Sequence, residues 1–149
     1  MKLGIVIVFN STESIPLKNQ LISILNSLND VCFCLVNNNN KEKTANYLNE
    51  IADKCKNTNV INIKKGKSLN SAIRAGARFM FNRHNLEHLG YINNSINIQL
   101  IEVIKVFKNN RKEIIDMVTQ EQNKKTIKQT LFQRVFSIKE YLIDFKVLI

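Results

Sequence analysis

Gly66-Lys67-Ser68 stands between a strand-like NVINI segment and a helix-like stretch, the setting in which a glycine-rich loop can wrap phosphate. A P-loop needs an earlier glycine so that backbone N–H groups can encircle the phosphates, and that position is Ile61, inside the strand. The P-loop is therefore rejected, and no G-x-G-x-x-G supports dinucleotide binding either. His84 and His88 stand one helical turn apart in spacing, with Glu87 between them, and two such imidazoles can share a metal. Their order is not H-E-x-x-H and no third ligand accompanies them, so they read as surface histidines at the amino end of a strand. Cys32 and Cys34 alternate with Val31, Phe33 and Leu35, and Cys55 completes an odd set without metal-ligand spacing. These thiols read as small core residues, where a thiolate is disfavoured. No Ser/His/Asp or Cys/His nucleophile can be assembled, so no catalytic residue and no metal ligand is assigned.

Chemistry-bearing side chains collect instead in polar turns, and the elements between those turns decide where they meet. Leu3 to Phe9 is an unbroken apolar, β-branched run, the pattern of a strand covered on both faces. Asn10-Ser11-Thr12 ends it, and Ile15-Pro16 opens a helix to about Leu28, since proline is tolerated in a first turn. A second strand, Val31 to Val36, stops at four consecutive asparagines, Asn37 to Asn40. Further helices are expected at Thr44 to Lys56, Leu69 to about Asn82 and Ile98 to Phe107. Further strands are expected at Asn59 to Ile63, at Leu89 to Asn93 and, fifth, at Glu113 to Val118. Strands separated by helices imply one α/β domain, a Rossmann-like, mainly parallel sheet with helices on both faces. Ligands of such sheets bind beyond the carboxyl ends of the strands, here Asn10–Thr12, Asn37–Asn40, Lys64–Ser68 and Asn93–Ser95.

The remaining features bound the function more loosely. A chain of 149 residues with 44% hydrophobic content suffices for one packed domain, and only four glycines and one proline argue for long helices over a many-turned β-sandwich. Twenty-two Lys+Arg against 12 Asp+Glu leave a net charge of +10, which draws a protein towards phosphates, nucleic acid or an anionic membrane face. The basic residues are scattered without aromatic interleaving, so a nucleic-acid partner is not expected. No leader pattern and no apolar run of about 20 residues is visible, and three cysteines in apolar surroundings suit a reducing cytoplasm. Residues 120–149 are set apart from 1–119: a polar loop at Gln120 to Lys128, then an apolar segment at Thr130 to Ile149. That segment is expected to pack on the core or on a second copy of the chain.

Four stretches taken together resemble the family-2 nucleotide-sugar glycosyltransferases of GT-A fold. LGIVIVFNSTESI (3–15) resembles their first strand and Tyr-Asn-x-x-Glu type turn, and CLVNNNNKEKT (34–44) their second strand and Asp-Asn-Gly-Ser turn. KKGKSLNSAIRAGARFM (64–80) is similar to their glycine- and asparagine-bearing helix segment, two residues shorter. LGYINNSINIQLIEVI (89–104) resembles the strand and helix around their Asp-x-Asp motif. The resemblance covers residues 3 to about 107. It implies that Asn10, Glu13 and Asn37 or Asn38 face the nucleoside of a nucleotide diphosphate sugar, with Lys67 or Asn70 near phosphate. An active member would use Mg²⁺ or Mn²⁺ at the Asp-x-Asp carboxylates and transfer the sugar to a glycan or lipid-linked acceptor.

At the metal motif this chain reads Asn93-Asn94-Ser95, with no carboxylate, and Asn replaces Asp after the second strand. Divalent cations of this kind are held chiefly by anionic oxygen. The acceptor-binding half, with its general base, would begin where these residues end. The expectation is a shortened domain that binds a nucleotide or nucleotide sugar and is incomplete as a transferase on its own. A basic surface of this kind would suit a diphosphate ligand or peripheral contact with an anionic membrane. A different class also stands: a non-enzymatic interaction module that forms a homodimer through Leu131 to Ile149.

Overall fold

In the computed structural model, which describes residues 2–11, 15–64, 67–95, 99–124 and 134–143, strands and helices alternate along the chain. β1 (Leu3–Phe9), α1 (Lys18–Ser27), β2 (Val31–Asn37), α2 (Glu42–Asp53), β3 (Thr58–Asn62) and α3 (Leu69–Arg83) form the first half. β4 (His88–Asn94), α4 (Leu100–Asn109), α5 (Arg111–Asn123), β5 (Val135–Ser137) and α6 (Ile138–Ile143) complete it. The strands form one sheet in the order β3-β2-β1-β4-β5, and every pairing is parallel. This is a Rossmann-like α/β domain. Each of the first four strands is followed by a crossover that returns the chain to the same end of the sheet, so all carboxyl ends gather along one edge.

Side-chain alternation explains why β1 and β2 are apolar throughout. Ile5, Ile7 and Phe9 of β1 and Phe33 and Leu35 of β2 point into a core shared with α1, α2, α4, α5 and α6. Val6, Val8, Cys32, Cys34 and Val36 point into the opposite core, under Ala72, Ile73, Ala77 and Met80 of α3. A central parallel strand therefore has no solvent face on which a polar residue would be favourable. The three cysteines are buried and free, as their apolar surroundings suggest.

Several boundaries differ from the sequence expectation, and one element changes type. Glu113 to Val118 is helical, lying inside α5, where Ile114 and Val118 are the buried pair one turn apart. Its β-branched content suggested a strand, but the apolar residues keep helical spacing and need only one buried side. α5 also takes in Gln120 to Asn123, which was expected to begin a loop. The fifth strand is β5, in which Val135, Phe136 and Ser137 pair with Leu89, Gly90 and Tyr91. α1 starts at Lys18 instead of Ile15, because Leu17 keeps an extended backbone and the Pro16 carbonyl accepts the Tyr47 hydroxyl of α2. Among the described residues, no helix is long and apolar enough to cross a membrane.

Candidate functional site

The sheet order places β2 on one side of β1 and β4 on the other. Successive strands first build outwards through β2 and β3, and then the chain crosses back to β4. In open parallel sheets such a reversal is where a crevice for ligands forms, here at the carboxyl ends of β1 and β4. Register puts amides at this level on β2, β3 and β4. Phe9 is aligned with Asn37 of β2 and with Asn94 of β4, and Asn37 is aligned with Asn62 of β3. Asn10 and Asn38 follow one residue beyond.

Strand parity then sorts these amides between the two faces. Asn10, Asn38 and Asn93 lie two residues after Val8, Val36 and Tyr91, which pack on the α3 side. On that side they form one connected network. Asn38 is only 6% exposed. Its Nδ2 donates to the Lys67 carbonyl at 2.9 Å, and its Oδ1 accepts the Lys67 N–H at 2.9 Å. Nδ2 also donates to Asn10 Oδ1 at 2.9 Å, and Asn10 Nδ2 donates to Asn93 Oδ1 at 2.7 Å. The network ties the ends of β1, β2 and β4 to the loop that leads into α3.

On the other face, buried Asn37 donates to Asn62 Oδ1 at 3.0 Å, while its own Oδ1 accepts the Asn39 N–H at 3.3 Å. Asn39 carries the turn forward. Its Oδ1 accepts the Lys41 N–H at 2.9 Å, and its Nδ2 donates to Thr44 Oγ1 at 2.9 Å. Asn40 takes the left-handed conformation at φ 57°, which asparagine tolerates better than most side chains. Of the four asparagines, Asn38 alone joins the network on the α3 side. Asn37, Asn39 and Asn40 shape the turn.

Of the residues the family resemblance pointed to, Asn10, Asn38 and Lys67 are brought together. Asn37 is directed to Asn62 on the opposite face, and Asn70 is exposed in the first turn of α3. Glu13 lies outside the described residues. Two participants had not been singled out as ligand-facing: Asn93, the hydrogen-bond acceptor of Asn10, and Ser68, which caps α3 by accepting the Ser71 N–H at 3.2 Å. No acidic side chain occupies the first turn of α3, so no carboxylate of that turn opposes the positive end of its dipole, which follows directly on Lys67.

The nucleophile and metal chemistries considered from sequence find no support in the geometry. Burial pushes the Cys34 thiol up to about 12 and also raises Cys32 and Cys55, the reverse of what a reactive thiolate requires. Among the described residues there is no cluster of three His, Cys, Asp or Glu side chains that could hold a metal ion. The two histidines do not share a helical face. His84 caps the end of α3 and His88 opens β4, both half-buried, because strand geometry replaces the helical turn their spacing would need. A cavity of about 550 Å³ lies at the opposite, amino-terminal edge of the sheet, lined by Lys2, Glu87, His88, Lys112 and Asp116 among others. Its charges are of mixed sign, and it is remote from the amide network. No known family model matches the chain, and no curated protein matches it.

Proposed function

We propose that this domain binds a nucleotide diphosphate sugar at the carboxyl edge of its sheet, and that it is incomplete as a glycosyltransferase on its own. The observation that carries the reading is the Asn38–Asn10–Asn93 network with its anchor on Lys67. It joins at the switch point of a parallel sheet the segments whose order and spacing resemble a nucleotide-sugar transferase. In this reading Asn10 meets the nucleoside, and Lys67 and the α3 N-terminus meet the phosphates. Asn37 and Asn38 hold the walls of the crevice. If a second domain or subunit supplies an acceptor site and a general base, the reaction is sugar transfer to a glycan or lipid-linked acceptor. The reading takes the domain to be cytoplasmic, with its excess positive charge turned to phosphate or to an anionic membrane surface.

Calorimetric titration with UDP, GDP and their sugars tests this directly. Saturable binding of one nucleotide sugar, weakened by Lys67→Ala, is the expected result. No heat of binding from any of them at millimolar concentration would refute the proposal. The interaction-module reading is narrowed by packing: Phe136, Ile138 and Leu142 lie in the core of this same chain. Exposed Ile143 is what the described part of the apolar segment leaves for a partner.

A further inference from the structure

We infer that the β4 end of this crevice is built to donate hydrogen bonds directly to an anionic oxygen of a diphosphate, in the place where the resembled family holds a divalent cation. The inference takes its ligand from the proposed function, but its geometry is independent of it. The amide orientations are fixed one after another from the backbone outwards. Lys67 offers a carbonyl and an N–H, so the Asn38 amide has one allowed orientation, with Nδ2 towards the carbonyl and Oδ1 towards the N–H. Asn38 Nδ2 then reaches Asn10, which must answer with its oxygen. The Asn10 nitrogen is thereby turned to Asn93, which must also answer with its oxygen. Reversing any one amide would set donor against donor or acceptor against acceptor. What Asn93 has left to present is its Nδ2, whose N–H groups make no hydrogen bond to a described residue.

An amide N–H cannot ligate a cation. The neighbours bring no carboxylate: Asn94 is a fully buried amide, and Ser95 has a neutral hydroxyl. Mg²⁺ and Mn²⁺ sites usually take one or two carboxylates beside phosphate and water oxygens, and the described residues of this edge supply no carboxylate. Oriented N–H groups on the same edge of the sheet as Lys67 and the α3 N-terminus suit phosphate oxygens instead. The residues therefore do not fit the metal that the resemblance implied, and the donors stand in its place.

The Asn93→Asp substitution separates the possibilities, because the carboxylate still accepts from Asn10 while removing both donors and adding a negative charge. Binding of pyrophosphate and UDP is measured by calorimetry in EDTA, and UDP again with Mn²⁺. The native protein is expected to bind both in EDTA, with UDP no tighter in Mn²⁺. Asn93→Asp is expected to lose about tenfold or more in EDTA and to regain UDP affinity with Mn²⁺. Asn93→Ala should lose affinity without that rescue. A protected Lys67 amide in hydrogen exchange verifies that each variant keeps the upstream network. An absolute requirement for Mn²⁺ in the native protein, no pyrophosphate binding, or an Asn93→Asp affinity unchanged in EDTA would each overturn the inference. Pyrophosphate bound through Asn93 without preference for nucleotides would retain the inference and remove the nucleotide reading. Nucleotide binding indifferent to Asn93 would do the reverse.

Discussion

Asn57 shows how much one half-buried amide can organise in this protein. Its Nδ2 lies within 3.1 Å of the Leu25 carbonyl and 2.9 Å of those of Leu28 and Val31, closing the end of α1 onto the start of β2. Asn57→Ala would leave these carbonyls short of a donor, and a loss of about 1–3 kcal/mol is expected in urea unfolding; a change within error would show that water replaces the amide. His88 gives a pH-dependent counterpart. Thr119 Oγ1 spends its hydrogen on the Ile115 carbonyl at 2.8 Å, so towards His88 Nε2 at 3.5 Å it can only accept. A proton on Nε2 satisfies this contact, and Nδ1 is buried with no hydrogen-bond partner among the described residues. Burial lowers the His88 pKa from 6.5, against the raising effect of Glu87 and with the help of Arg134. Lys2, paired to Glu87, and Asp116 of α5 face the same cavity. A depressed folded-state pKa means that the unfolded chain takes up the proton first, so stability is complete above about pH 6.5 and falls as the solution is acidified below it. The urea midpoint should drop between pH 7.5 and 5.5, and by less in His88→Gln; equal drops would assign the effect elsewhere. Residue-scale chemistry was only partly legible in sequence. The asparagine-rich turns were visible, and strand parity after Val8, Val36 and Tyr91 was available to place Asn10, Asn38 and Asn93 on one face. Their hydrogen bonds depend on which strands are neighbours, which no local pattern encodes.

At the scale of elements, α3 lies tightly against β1, and Gly76 makes this possible. A Cβ at this position would stand 2.6 Å from Val6 Cγ1 and 3.1 Å from Val36 Cγ2. Helix propensity favours alanine over glycine by about 1 kcal/mol, whereas overpacking costs about 1–3 kcal/mol. The overlap falls on β-branched side chains of central strands, which have little room to turn, so Gly76→Ala is expected to destabilise the domain. In a Val6→Ala background the same change should become neutral or favourable, and a double-mutant cycle reads the coupling. Additive effects would show that α3 simply moves away. Elements with both faces covered were the most legible from sequence, since β1 and β2 leave no choice but an unbroken apolar run. α5 was not, because Ile114, Ile115, Met117 and Val118 are crowded enough to satisfy a strand or a helix. β5 escaped notice for a different reason: three residues are too few to show a period, and α6 follows without a turn.

For the whole molecule, the question is whether the segment after α5 completes the domain or serves another chain. Phe136 is 6% exposed, and Ile138 and Leu142 are fully buried in the larger core, beside residues from α1, α4 and α5. Gly90 allows this, since a Cβ there would meet Ile138 and Phe136 at 2.9 Å. Fully burying side chains of this size contributes about 1.5–3 kcal/mol each, so the three together approach the whole stability of a small domain, about 5–15 kcal/mol. Ending the chain at Lys124 should therefore leave a protein that does not fold cooperatively, seen as loss of a sigmoidal urea transition and of dispersed amide resonances. Ile138→Ala, a milder form of the same test, should cost about 2–5 kcal/mol while leaving the oligomeric state in sedimentation unchanged. A truncated chain that stays folded and merely becomes a monomer would assign the segment to assembly. The core contacts of Phe136, Ile138 and Leu142 argue for the first result, and with it for a sheet that depends on β5 to hold β4 in place.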